Sequence, residues 1–285
     1  MNRTILILGG TGMLGHVLVK ELEKEINFNI HNIVRENKLN EKSIICDVIN
    51  RGELKKIIEK INPDIIVNCI GLLKKQSNSN ISKAIYLNSY LPQWLLEICD
   101  SKKIKFIHIS TDCVFDGING NYTEKSSPNA NDNYGKTKAL GEFNCENHLC
   151  IRTSIIGPEI NSNSKGLLSW FLNSKGDIFG FDNVIWTGVT TLELSKGIKF
   201  SILNGIDGLW NFTNEIPISK YQLLMLIKDT FRIENLEIKK DKEKKINMSL
   251  KSIRKVDFSI PNYEQMIKDL FHYFDKNEMN YNYQK

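Results

Sequence analysis

Thr4-Ile-Leu-Ile-Leu8, followed at once by Gly9-Gly-Thr-Gly12-Met-Leu-Gly15, is the stretch on which the reading of this chain turns. A short apolar run stops at a glycine cluster and gives way to Leu14, Val17, Leu18 and Leu22 at helical spacing. That order predicts strand, tight turn and helix. Gly9 permits the turn, Gly12 lets a diphosphate approach the backbone, and Gly15 allows helix and strand to pack closely. Met13 and Leu14 complete the turn, where the unpaired N–H groups of the helix start and its positive dipole face the phosphates. A lone glycine pattern is also compatible with a plain tight turn. Its place between a strand and a helix, at the head of a βαβ series, favours the dinucleotide reading.

The alternation continues outward from this turn. Strands are predicted at Thr4–Leu8, Asn29–Val34, Ser43–Cys46, Ile65–Cys69, Phe106–Ser110 and Leu149–Thr153, all short and rich in Ile and Val. Most do not alternate apolar with polar residues, as befits strands covered on both faces. Helical patterns fall at about Gly52–Ile61, Ile81–Asp100 and Asn133–Asn147. The fold class is therefore α/β, a doubly wound parallel sheet of Rossmann type. Residues 1–157 form its dinucleotide-binding part and carry the candidate catalytic groups. After Gly157 the alternation lapses. Asn161–Gly166 is a loop by composition, Leu167–Leu172 is helical and Lys175–Asp177 is a turn. Residues 158–285 are expected to form a smaller substrate lobe, with some segments returning to the first part.

The glycine spacing, G-x-x-G-x-x-G, resembles that of the extended branch of the short-chain dehydrogenase/reductase superfamily. The second strand should end near Val34-Arg35-Glu36. An acidic residue at that tip suits a ribose 2′-hydroxyl, whereas an arginine suits a 2′-phosphate. Arg35 tips the expectation to NADP over NAD, with Glu36 beside it as the opposing feature. The resemblance places Asp47-Val48 against the adenine, and Asn68-Cys69-Ile70-Gly71 as the N-x-x-G turn beneath the adenosine.

Reducing a ketone requires a hydride donor and an acid that protonates the developing alkoxide. Tyr134-Gly-Lys-Thr-Lys138 puts a phenol and an ammonium one helical turn apart on one face. A phenol titrates near ~10, and an adjacent cation is expected to lower it. Y-x-x-x-K alone is weak, since about one match is expected by chance, and Tyr281 with Lys285 is such a decoy. The company of Tyr134 separates the two. Ser110-Thr111-Asp112 ends the fifth strand, where a hydroxyl can orient a carbonyl. Asn88, in the preceding helix, is read either as a helix-face polar group or as a structural or relay residue beside the cofactor.

Ile109-Ser-Thr-Asp-Cys-Val-Phe-Asp-Gly117, Gly120-Asn-Tyr-Thr-Glu124, Tyr134-Gly-Lys-Thr-Lys138, Leu140-Gly-Glu142 and Ile151-Arg-Thr-Ser154 together resemble the dTDP-4-dehydrorhamnose reductase family. That family reads S-T-D-x-V-F-x-G, Y-x-E, Y-G-x-x-K and G-E. The resemblance is close over residues 1–157 and loose beyond. It implies NAD(P)H-dependent reduction of a 4-keto-6-deoxy sugar on a nucleoside diphosphate, for surface polysaccharide. Thr111, Tyr134 and Lys138 are the implied catalytic set, and Thr111, Asp112, Val114, Phe115 and Trp186 the implied substrate contacts. Ile155-Ile156 replaces the tryptophan that usually follows R-T-S. Gly166–Leu172 and Asp182–Gly188 look more like relatives that reduce UDP-linked 2-acetamido-2,6-dideoxy-4-keto sugars. An epimerase of the same superfamily is an alternative. Cys113 stands where dehydratases place a second carboxylate, which argues against dehydration. A different alternative is an NADP-binding regulatory subunit, like the reductase-like subunit of methionine adenosyltransferase. The intact catalytic set favours an enzyme.

Composition excludes several other classes. With 41% hydrophobic and 25% charged residues among 285, the chain reads as an ordinary globular protein. A net charge of +5 is too mild for a nucleic-acid partner. No apolar run is long enough to span a membrane and no signal peptide is evident, so the expected compartment is the cytoplasm. The six cysteines form no C-x-x-C pair, so neither a disulfide framework nor a metal site is expected. A nucleotide sugar is the expected partner, with a homodimer as an open possibility.

Overall fold

The computed structural model describes residues 2–160, 166–276 and 281. Six strands in the first half, β1 (Arg3–Leu8), β2 (Phe28–Val34), β3 (Ser43–Ile45), β4 (Ile65–Asn68), β5 (Lys105–Ile109) and β6 (Leu149–Arg152), pair in parallel. Across the sheet they run 3-2-1-4-5-6, and a seventh strand, Gly208–Asn211, adds beyond β6. Strand order reverses between β1 and β4, the switch point at which open α/β sheets bind ligands. Alternate side chains divide between the two faces, as period-2 geometry requires. Ile5 and Ile7 enter one apolar layer, with Val67 and Ile107. Leu6 and Leu8 enter the other, with Ile66 and Phe106. Such two-sided burial leaves no polar face, hence the unalternating strands.

Helix α1 (Gly15–Leu22) packs its Leu18 and Leu22 on the first layer, and α2 (Arg51–Ile61) places Leu54 and Ile58 on the second. Asn50 caps α2 by accepting the Glu53 N–H, the local signal that starts this helix. The helix expected over Ile81–Asp100 runs from Ile81 to Lys102 but widens into a π-helical turn at Ile85–Tyr90. That turn holds Asn88, and π-turns within α-helices frequently mark functional sites.

Two expectations need correction. The helix at Asn133 stops at Leu140 rather than Asn147. Gly141 passes so close to the π-turn that a Cβ there would lie 2.1 Å from the Asn88 carbonyl oxygen. The backbone then turns to bring Glu142 inward to Arg152. The segment Lys175–Asp177 is not a free turn, because a strand begins at Gly176 and runs to Phe181, paired in parallel with Leu236–Asp241.

The chain leaves the main sheet near Gly157 and comes back. Helix Thr191–Asn204 packs beside α1 through Leu194, Ile198 and Ile202, and delivers strand Gly208–Asn211 to the sheet edge. The remaining elements form the lobe over the carboxyl ends of the strands. Strand Val184–Trp186 pairs antiparallel with Ile218–Ser219 and in parallel with Ile246–Asn247, and helices Lys220–Phe231 and Tyr263–Lys276 pack behind. The loop read at Asn161–Gly166 and the Tyr281/Lys285 decoy lie partly outside the described residues. Among the described residues no helix is long and apolar enough to cross a membrane.

Candidate active site

Gly9 sits at φ 86°, in the left-handed region that glycine tolerates. A Cβ on Gly15 would stand 2.0 Å from the Gly9 carbonyl oxygen, so only glycine lets α1 start so close to β1. Around this turn lies a cavity of about 520 Å³ whose lining includes Gly9, Gly12, Arg35, Asp47, Val48 and Gly71. Cys69 and Ile70 line it too, as do Thr11, Asn37 and Lys83, which the sequence did not single out. The glycine cradle, the switch-point position and the cavity's reach from the turn to the tips of β2 and β3 fit an elongated dinucleotide. Met13, Leu14 and Gly15 are not on the lining. Leu14 is buried in the core and Gly15 serves packing.

Arg35 and Glu36 are both exposed at the tip of β2 and pair with each other at 2.9 Å. The Asp47 carboxylate accepts the Ile49 N–H at 3.1 Å and shapes the turn after β3. The Asn68 side chain accepts the Ile70 N–H, also at 3.1 Å, which fixes the turn after β4.

Asn88 departs from the expectation that it borders the cofactor. It is fully buried and off the cavity wall, and its amide is spent on protein groups. It accepts the Leu72 N–H at 2.7 Å and donates to the Leu72 carbonyl and the Thr137 hydroxyl, each at 3.1 Å. Asn88 thus ties the turn beneath the cavity to the helix that carries Tyr134.

The reaction centre forms where β5 ends. Thr111 starts a three-residue turn, accepting the Cys113 N–H at 3.2 Å and donating to Asp112 at 3.1 Å. The Tyr134 phenol lies beside this hydroxyl, close enough for the two to influence each other. Asp132 caps the Tyr134 helix by accepting the Gly135 N–H and holds Lys74 through an ion pair of 2.7 Å. Lys138, one turn on from Tyr134, is buried. Its ammonium donates to the Ile109 carbonyl at 2.7 Å and meets His108 Nε2 at 3.3 Å. Behind it, Asn68 reaches His108 Nδ1 at 3.2 Å. Asn68, His108 and Lys138 thus form a buried polar row under the site, the last two packed in apolar surroundings that disfavour charge.

The electrostatics differ from the simple phenol–ammonium picture. Burial pushes the Tyr134 phenol well above its usual range, and the Thr111 hydroxyl offsets this in part. Burial, not the Lys138 ammonium one turn away, decides its direction. Burial instead brings Lys138 itself down to about 8, with Cys150, Glu142 and Cys69 pulling the other way. Burial likewise raises the Asp112 carboxyl and holds His108 neutral, well below its usual value. The phenol is therefore a firmly protonated acid next to a cation poised to lose its charge.

Ser110, Glu142 and Arg152 lock the strand ends beneath. Arg152 grips Glu142 with two contacts of 2.8 and 2.6 Å, and Ser110 donates to the same carboxylate at 2.6 Å. Val114 and Phe115, expected as substrate contacts, are fully buried instead. Phe115 stacks on Tyr122 at 4.1 Å, and both close a small core with Leu250. The three-residue turn points Val114 inward, a choice made by backbone geometry. Trp186 is buried against Tyr263, and over its other side lies the half-buried Lys220, whose ammonium lies 4.2 Å from the indole centroid. Lys220, Lys74 and His108 went unnoticed in the sequence. Ser219 and Gln222 form a capping box that marks where Lys220's helix begins, yet nothing local says what Lys220 faces. Among the described residues no cluster of three His, Cys, Asp or Glu could hold a metal.

Fold and site together define an extended short-chain dehydrogenase/reductase. The chain belongs to the family described as RmlD substrate binding domain, which matches residues 3–271. It is 30% identical over 143 residues to the "Probable low-salt glycan biosynthesis reductase" of Haloferax volcanii, covering 48% of this chain and 46% of that one. A dTDP-4-keto-6-deoxy-D-glucose reductase of Streptomyces niveus is 30% identical over 139 residues, 48% of this chain and 45% of its own. The matched part thus spans about half the length of these curated relatives. The methionine adenosyltransferase 2 subunit beta of Bos taurus is 25% identical over 253 residues, covering 84% of this chain and 75% of that one. In structure the chain is similar to a hypothetical dTDP-4-dehydrorhamnose reductase of Sulfolobus tokodaii, with TM-score 0.78 and 25% identity over 93% of this chain and 98% of that one. A dTDP-4-dehydrorhamnose reductase of Bacillus anthracis in complex with NADP superposes with TM-score 0.80 at 17% identity, covering 97% and 100%.

Proposed function

We propose that this protein reduces the 4-keto group of a nucleotide-linked 6-deoxy sugar with a nicotinamide cofactor, in the synthesis of a surface polysaccharide precursor. The observation that carries the reading is the placement of Thr111 beside the Tyr134 phenol, one turn from the buried Lys138, at the carboxyl end of β5 beside the dinucleotide cavity. Gly9, Gly12, Arg35, Asp47, Val48, Cys69, Ile70 and Gly71 hold the cofactor, and a reduced nicotinamide there supplies a hydride. Thr111 orients the substrate carbonyl. Tyr134, kept protonated by burial, donates its proton to the oxygen as negative charge develops. Lys138 stabilises the phenolate left behind, and the Ile109 carbonyl with His108 fixes its position. Arg35 favours NADPH over NADH, because a guanidinium can pair with a 2′-phosphate. The protein works in the cytoplasm.

The test is consumption of NADPH and NADH with freshly generated dTDP- and UDP-linked 4-keto-6-deoxy sugars. Turnover with one member establishes the activity and its substrate class. A second reading, an NADP-binding regulatory subunit, draws on the similarity to methionine adenosyltransferase 2 subunit beta over 84% of this chain. Cofactor binding with no turnover across the panel would favour it.

A further inference from the structure

Lys220 opens the helix Lys220–Phe231, more than eighty residues from the nearest catalytic candidate in sequence, yet it stands at the reaction centre. Its ammonium lies over the Trp186 ring, 4.2 Å from the centroid. The nearest groups that support its charge are the Asp112 carboxylate and the Cys113 thiol, which lie beyond direct ion-pair contact. Asp112 in turn takes the hydrogen bond of Thr111, whose hydroxyl lies beside the Tyr134 phenol. Among the described residues the Lys220 ammonium donates no hydrogen bond, and the Trp186 Nε1–H beneath it is buried without an acceptor. A cation held by an aromatic face and a facing carboxylate keeps its donors unspent. Water can fill those donors until a ligand displaces it, and a ligand oxygen that does so must take up at least one of them. The position of the ammonium beside Thr111 and Tyr134 selects that ligand atom. The carboxylate of Asp112 repels a diphosphate, whereas an uncharged oxygen on the sugar ring meets no such penalty.

We propose that Lys220 is the substrate-orienting cation of this site, donating a hydrogen bond to a hydroxyl or acyl oxygen on the sugar beside the keto carbon. The proposal rests on the nucleotide-sugar reading above. Trp186 sets the height of the ammonium and Asp112 holds its charge in place, so the sugar is gripped next to the atoms that react. Lys220 is a positioning residue, and its removal acts on substrate affinity more than on the chemical step. A hydrogen bond to a charged group is worth about 1.5–3 kcal/mol, which corresponds to roughly 10- to 150-fold in affinity.

The experiment compares wild type with Lys220→Met and Lys220→Arg. Met keeps the apolar stem over Trp186, and NADPH affinity and melting temperature report that the fold is intact. With the 4-keto sugar that turns over, Lys220→Met should raise KM by at least about tenfold and leave kcat within about threefold. Lys220→Arg should recover part of the loss. Wild-type KM should rise above about pH 8, where burial brings the Lys220 ammonium to neutrality against the pull of Asp112 and Cys113. That rise should vanish in Lys220→Met. Calorimetric binding of the same nucleotide sugar, and of UDP or dTDP alone, completes the set. Unchanged KM and unchanged sugar binding in Lys220→Met overturn the proposal. Equal weakening of free UDP or dTDP also overturns it, since the contact would then be to phosphate. If wild type binds the sugar without turnover, the reductase reading fails while the binding comparison still decides the role of Lys220. No sugar binding at all overturns both.

Discussion

The cofactor end of the site is assembled from consecutive βα turns. Gly9–Gly15 follows β1, Arg35 follows β2, Asp47 and Val48 follow β3, and Cys69–Gly71 follow β4. Most of what it offers a ligand is backbone: a turn at positive φ, N–H groups at a helix start, and glycines where a Cβ would collide. The end proposed to take the sugar is assembled from side chains that arrive from distant segments. Thr111 and Asp112 follow β5, Tyr134 comes from the next helix, and Trp186 and Lys220 from the lobe. A backbone site is inherited with the fold. A side-chain site can be rebuilt one residue at a time without disturbing the sheet, which is how a single scaffold serves many sugars.

The sharpest way to separate the two ends is Tyr134→Phe. Turnover should fall by roughly 10²–10⁴, while NADPH and nucleotide-sugar affinities stay near wild type. Retention of more than about a tenth of the rate would remove Tyr134 from the chemistry. Gly15→Ala should act on the other end alone. Its Cβ would press on the Gly9 carbonyl, costing about 1–3 kcal/mol of stability and most of the cofactor affinity. A normal melting temperature with normal NADPH binding would show that the turn is not the constraint described here.

A smaller effect is expected from pH. Lys138, brought to about 8 by burial among Cys69, His108, Glu142 and Cys150, is charged below that pH and neutral above it. The chemical step should therefore weaken about tenfold per unit as pH rises beyond 8. Stability moves in the opposite direction. The unfolded chain holds these protons up to the ordinary lysine range, so burying Lys138 and Lys220 costs stability below about 8, and the cost is relieved as pH rises toward 10.5. Thermal melts of Lys138→Met should lose that pH dependence in part. The smallest effect belongs to Arg35→Ala. The preference for NADPH over NADH should drop about fivefold, the worth of one exposed charge contact of ~1 kcal/mol, with kcat and stability unmoved. An unchanged ratio would leave Arg35 as the surface partner of Glu36 alone.

Local pattern revealed elements wherever a short segment carries its own physical reason. Ile65–Val67 and Phe106-Ile107 are apolar runs because helices cover both faces, and Asn50 and Asp132 announce helix starts by capping them. Leu209-Trp210-Asn211 is as apolar as those runs, yet its place beside β6 escaped notice because it follows the stretch where alternation lapses. Val114 and Phe115 were misplaced for a related reason. Their motif marks the turn, but which side chain faces inward depends on how a three-residue turn meets Tyr122 and Leu250. Asn88 was visible as a polar residue in an apolar helix. Its partners Leu72 and Thr137 lie sixteen and forty-nine positions away, beyond any local pattern.

By itself the sequence determined the parallel sheet, the glycine turn between its first strand and helix, and the placing of Tyr134 and Lys138 one helical turn apart. Each is a short-range consequence of residue type: period-2 or period-3.6 burial, a positive φ, one helical turn of spacing. Tertiary structure alone decided which groups surround that pair. It buried the phenol and the ammonium together, set His108 and Asn68 behind Lys138, and carried Lys220 over Trp186 to face Asp112. Those placements depend on long-range packing of the lobe on the sheet, and burial shifts a charge's free energy only after the chain has closed around it.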